Sequence, residues 1–94
     1  MNKQEIYQKI AQFLKQVGVR KVAIFGSYIR DEEELGSDID VLVEFLEIKS
    51  LLDLVKIERE LSEEIGIKVD LLTENSLSPY IKDYVEKEMK VVYG

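Results

Sequence analysis

Asp38 and Asp40 lie two residues apart at the head of an apolar run, Asp38-Ile39-Asp40-Val41-Leu42-Val43. Successive side chains of a strand point to opposite faces. The two aspartates therefore share one face with Cα atoms roughly 6.5 Å apart, while Ile39, Val41 and Val43 take the other. Asp70, in Val69-Asp70-Leu71, has matching parity on a later strand, so three carboxylates can meet on one sheet face. Clustered carboxylates repel and raise at least one pKa unless a divalent cation joins them. Their hard oxygen donors suit magnesium or manganese. Two such ions about 3.5–4 Å apart stabilise the attacking and departing oxygens of an in-line displacement at phosphorus. In that chemistry Asp38 and Asp40 hold two Mg2+ ions, and Asp70 completes one site and accepts the proton of the attacking hydroxyl.

Upstream, Gly26-Ser27 forms a turn whose backbone and hydroxyl donors suit a polyphosphate, with Arg30 one helical turn beyond. Arg30 has two readings, a phosphate ligand or a surface residue paired with Glu33 or Glu34. An Asp-x-Asp pair alone is commonly a solvated strand edge, and a lone Gly-Ser is an ordinary turn. It is the combination with Asp70 that points to metal. Ser37 shapes a turn, and Asp31-Glu32-Glu33-Glu34 reads as a solvated loop that discourages polyanionic substrates. Lys68 alternates onto the aspartate face as a partner for a nearby carboxylate. Tyr80, Tyr84 and Tyr93 read as packing residues.

The elements that must position these groups follow from periodicity. Ile6, Ile10, Phe13, Leu14 and Val17 recur at helical spacing up to Gly18, a left-handed cap. Residues 21–25 predict a short β-branched strand ended by Gly26. A short helix is expected from Ser27 to about Glu33, and Leu35-Gly36 turns into a strand over residues 38–45. Ser50 with Asp53 resembles a capping box opening a second long helix closed by Gly66. Residues 67–73 predict a third strand, Ser78-Pro79 opens a final helix carrying Tyr80 to Met89, and Val91-Val92-Tyr93 adds an edge strand. This order describes an α/β (α+β) domain over residues 1–94, a small mixed sheet with helices packed on one face and the aspartates on the other.

Composition bounds the rest. Ninety-four residues with 46% hydrophobic content make one globular domain. There is no cysteine and no histidine, so thiolate zinc and the commonest general base are both excluded. A formal charge of −6 opposes direct binding of nucleic acid. It favours a small nucleotide carried in as its metal complex. No apolar run approaches the ~20 residues that span a bilayer, and the N-terminus lacks a signal core, so a soluble cytoplasmic protein is expected.

Gly-Ser-x-x-Arg, an acidic loop, Ser-Asp-x-Asp-hydrophobic and a later Val-Asp-Leu resemble the DNA polymerase β-like nucleotidyltransferase superfamily. The length and the ending from Leu77-x-Pro79 through Val91-Val92-Tyr93-Gly94 are similar to its minimal nucleotidyltransferases, the MntA-like antitoxins. The resemblance implies an ATP-dependent adenylyltransferase that neutralises a HEPN-domain ribonuclease toxin by attaching AMP to a toxin tyrosine. It assigns Gly26 and Ser27 to the triphosphate and Asp38, Asp40 and Asp70 to the metals. The family often reads Gly-Ser-x-Ala-Arg-Gly, where this chain has Ile29 and Asp31. Aspartate tolerates the left-handed backbone that glycine would adopt there, so the turn is expected to persist. Two other functions compete: transfer to a small hydroxylated molecule, and a non-catalytic antitoxin that occludes its partner.

Overall fold

The structure, a computed structural model, describes residues 2–94. Helix α1 (Lys3–Val17) opens on Asn2, whose side chain accepts Glu5 N–H at 2.9 Å, and ends at Gly18 with φ 104°. Strand β1 (Val19–Phe25) follows, then a single 3-10 turn over Gly26–Tyr28. Strand β2 (Ile39–Phe45) leads to helix α2 (Leu51–Ile65). Strand β3 (Val69–Thr73), a second 3-10 turn (Glu74–Ser76), helix α3 (Pro79–Glu88) and strand β4 (Lys90–Tyr93) complete the chain.

The sheet runs β3-β2-β1-β4, with β2 and β3 parallel and the other two pairs antiparallel. The parallel pair is possible because α2 provides the crossover. Ser50 and Asp53 make the capping box reciprocally, at 3.1 and 3.2 Å. As an edge strand, β3 would leave its outer N–H groups bare. Instead Val69 N–H donates to Ser62 Oγ at 2.9 Å and Leu71 N–H to Glu58 Oε2 at 2.8 Å, both from α2. Those two bonds hold β3, and with it Asp70, against its crossover helix.

The main core lies between the sheet and the two long helices. Ile10, Leu14 and Leu61 meet Val22, Ile24, Ile39, Val41, Val43 and Val69 there. Burial on this face of the sheet drives the architecture. The fold class is the one expected, three helices on a four-stranded mixed sheet. In detail, the short helix α3 departs from its neighbours. Val85 packs with Ala23, Phe25 and Leu42 on the aspartate side of the sheet, joined by Leu72, Leu77 and Met89. Ala23, Phe25, Leu42 and Leu72 form an apolar strip on that face, and α3 covers it.

Several boundaries shift. Strand β1 begins two residues earlier than predicted, because Val19 is itself buried. The helix expected over 27–33 is only the 3-10 turn, and the chain then reverses at Asp31 with φ 56°. Asp31 thus takes the left-handed backbone expected of it. Tyr80 and Tyr84 prove exposed, since Val85 is the buried residue of α3, whereas Tyr93 packs against the main core.

Candidate active site

Strands β2 and β3 run parallel in a register that sets Asp40 directly opposite Asp70. Asp38 lies one residue before β2, where Ile39 N–H donates to Lys68 O at 2.9 Å and aligns the two strand ends. Across β2, Asp40 is opposite Phe25, so the Gly26 turn starts beside it. The ends of β1, β2 and β3 thus bring residues 26–30, 38–40 and 70 to one corner of the aspartate face.

Gly26 is required there for two reasons. Its φ of 80° favours glycine, and a Cβ at this position would lie 2.1 Å from Asp40 Oδ2. The turn and the carboxylate share space that any side chain would fill. The Gly26 carbonyl accepts Ile29 N–H and Arg30 N–H, each at 3.1 Å, which closes the turn.

The electrostatics are those of like charges held close. Burial pushes Asp40 above the usual aspartate range, with Asp70 and then Asp38 adding to it and Arg30 opposing. Asp70 is also raised, by burial first and then by Asp38, with Lys68 opposing. Lys68 Nζ stands 3.6 Å from Asp38 Oδ2, the carboxylate partnership expected of it. Among the described residues, no three carboxylates stand close enough to form a finished ion site. Their donor chemistry nevertheless fits a hard divalent ion, because the set is oxygen only and its members destabilise one another as anions.

Arg30 pairs with neither Glu33 nor Glu34. Its Nε donates to Glu32 Oε2 at 3.2 Å, and its Nη1 donates to Glu88 Oε1 at 2.9 Å and Oε2 at 3.2 Å. Glu88 also accepts Gly26 N–H at 2.7 Å. Burial pushes Glu88 up, but hydrogen bonds from Gly26 and Arg30 more than offset it and hold the carboxyl below the usual glutamate range. No sequence signal ties a residue at the end of α3 to a turn at the end of β1. The pairing is visible only once α3 lies on the aspartate face.

The acidic loop is solvated as expected, with Asp31, Glu32 and Glu34 exposed, yet most of its charges are paired. Lys3 of α1 bridges Asp31 and Glu33, the latter at 2.8 Å, and also donates to Tyr28 O at 2.8 Å. Only Glu34 of the four acidic residues lacks an ion pair among the described residues, and its N–H is capped by Ser37 Oγ at 2.8 Å, the turn-shaping role expected of that serine.

Residues 7–92 match the family model described as a nucleotidyltransferase domain. A candidate protein adenylyltransferase of Methanocaldococcus jannaschii is 52% identical over 94% of this chain and 95% of its own length. The protein adenylyltransferase MntA of Thermococcus cleftensis is 43% identical over 84% of this chain and 78% of its own. Among solved structures, a candidate minimal nucleotidyltransferase superposes with a TM-score of 0.79 at 30% identity, covering 93% of this chain and 89% of that one. A chain of a toxin–antitoxin complex solved with AMP-PNP gives a TM-score of 0.85 at 23% identity, over 94% and 73% of the two chains. At that identity the likeness speaks for the fold.

Proposed function

The chain belongs to the nucleotidyltransferase domain family, and on that premise we propose that it is a metal-dependent protein adenylyltransferase that transfers AMP from ATP to a tyrosine of a HEPN-domain toxin. The single observation that carries the reading is the parallel register of Asp40 against Asp70 beside the Gly26 turn. The names of its relatives support it. They include MntA, named a protein adenylyltransferase, and one similar structure contains a tri-AMPylated Shewanella oneidensis HEPN toxin with its MNT antitoxin.

In this reading Asp38, Asp40 and Asp70 are the ligands of two Mg2+ ions. When bound, those ions neutralise the phosphates and polarise the α-phosphorus. Ser27 and Arg30 bind the triphosphate, and the Gly26 turn leaves room for it beside Asp40. The acceptor hydroxyl attacks the α-phosphorus, the bond from that phosphorus to the bridging oxygen breaks, and pyrophosphate departs with the electron pair. Asp70 takes the hydroxyl proton. A reaction drawing on ATP and an RNA-cleaving partner belongs in the cytoplasm, and no helix among the described residues is long and apolar enough to cross a membrane.

The test is incorporation. Labelled ATP, magnesium and a HEPN-domain toxin, sought first in the neighbouring reading frame, are incubated together, and the partner is searched for an AMP-modified tyrosine by mass spectrometry. Absence of any adduct under conditions where ATP binds would overturn the proposal.

A further inference from the structure

Helix α3 reaches the candidate site through its last residue. Glu88 Oε1 accepts both Gly26 N–H at 2.7 Å and Arg30 Nη1 at 2.9 Å, from 62 and 58 residues away in sequence. Its side chain is 12% exposed, against 37% for Arg30, so the pair is largely shielded on the glutamate side. Gly26 therefore sits between two carboxylates, Asp40 against its α-carbon and Glu88 on its N–H.

We propose that Glu88 is a positioning residue for the triphosphate, clamping the Gly26 turn and Arg30 in the orientation that presents Ser27 and the guanidinium to phosphate; this role rests on the nucleotidyltransferase reading. The turn hangs on Gly26, whose carbonyl accepts both Ile29 and Arg30 N–H. Fixing its N–H fixes the plane of the peptide that enters the turn, and Ser27 follows directly. On Arg30, Glu88 takes Nη1 and Glu32 takes Nε, which orients the planar fork and leaves Nη2 for a ligand. The Gly26 N–H is taken by Glu88, so phosphate recognition falls to Ser27 and Arg30.

A competing role has the opposite sign. A carboxylate on two phosphate donors could instead be a stand-in that nucleotide must displace, in which case removing it tightens binding. The low exposure of the Glu88 side chain, 12%, favours the clamp, because a carboxylate enclosed between α3 and the turn and held by two donors has little room to swing aside.

The experiment compares wild type, Glu88→Gln and Glu88→Asp by calorimetric titration with magnesium-ATP, steady-state transfer, melting temperature and exchange of the Gly26 amide proton. Glu88→Gln keeps the size and removes the charge. It is expected to weaken ATP binding about tenfold, equivalent to ~1.4 kcal/mol, to leave kcat at saturating ATP within about threefold, and to speed Gly26 amide exchange. Glu88→Asp is expected to recover part of the lost affinity. Unchanged or tighter ATP binding in Glu88→Gln would overturn the clamp. Equal losses in both variants together with a fall in melting temperature would reduce Glu88 to a structural tie and overturn it as well. Failure of wild type itself to bind magnesium-ATP would instead sink the nucleotide reading, and the clamp with it, whatever the variants do.

Discussion

Asp40 and Asp70 face each other across the parallel strands β2 and β3, and each carboxyl is raised above its usual range by burial and by neighbouring carboxylates. The folded protein holds their protons to higher pH than the unfolded chain does. In this window the native state binds more protons, so stability falls as pH rises from about 3.8, the ordinary aspartate value, through the raised value. Asp40→Asn removes that loss. Without magnesium the variant is expected to melt at or above wild type, by a margin that grows as pH rises through the window. Thermal melts at a series of pH values check this, and a variant that is less stable than wild type at neutral pH would contradict it.

Magnesium is expected to reverse the ranking. Binding to the native state alone stabilises it in proportion to ligand saturation, so wild type gains melting temperature with added magnesium-ATP while Asp40→Asn and Asp38→Asn gain little. In both variants transfer falls by about a hundredfold or more, beyond the 10–100-fold typical of losing an outer partner of a metal ligand.

Gly26→Ala tests the packing of the turn. A Cβ at that site meets Asp40 Oδ2 at 2.1 Å on a backbone with φ 80°. The cost is on the order of 1–3 kcal/mol for the strained backbone alone, or roughly 4–8 °C of melting temperature per kcal/mol in a domain of this size. ATP affinity is lost in parallel, because Asp40 must move. A variant with wild-type melting temperature and affinity would show that the turn has room to spare.

Glu58→Ala tests how Asp70 is held. Leu71 N–H donates to Glu58 Oε2 at 2.8 Å on the outer edge of β3. Leaving that N–H unpaired costs about 1–3 kcal/mol. Hydrogen exchange is expected to accelerate at Leu71 and along β3, with transfer lowered as Asp70 loses its fixed place beside Asp40. Unchanged exchange in β3 would mean that α2 packing alone holds the strand.

Much of this was legible in sequence because it depends on local rules. The parity of Asp38, Asp40 and Asp70 is fixed by strand alternation, and the Ser50–Asp53 box and the Gly18 and Gly66 caps read directly from spacing. Two features were not legible because they arise from long-range packing. The side of the sheet chosen by α3 depends on the apolar strip from Ala23, Phe25, Leu42 and Leu72, which alternation places on the aspartate face but which short strands do not advertise. The partners of Arg30 depend on that choice, since Glu88 reaches it only from there. The acidic loop is solvated as its composition implies, while its pairing with Lys3 from α1 is a long-range contact that spacing does not reveal.

The most direct measurement is transfer to the partner by wild type and Asp40→Asn, side by side, with magnesium-ATP at saturation and the modified residue located by mass spectrometry. The account predicts AMP on a tyrosine of the HEPN partner with wild type, and loss of about a hundredfold or more with Asp40→Asn despite its intact fold. Equal transfer by the two proteins would contradict the assignment of catalysis to the Asp40–Asp70 corner.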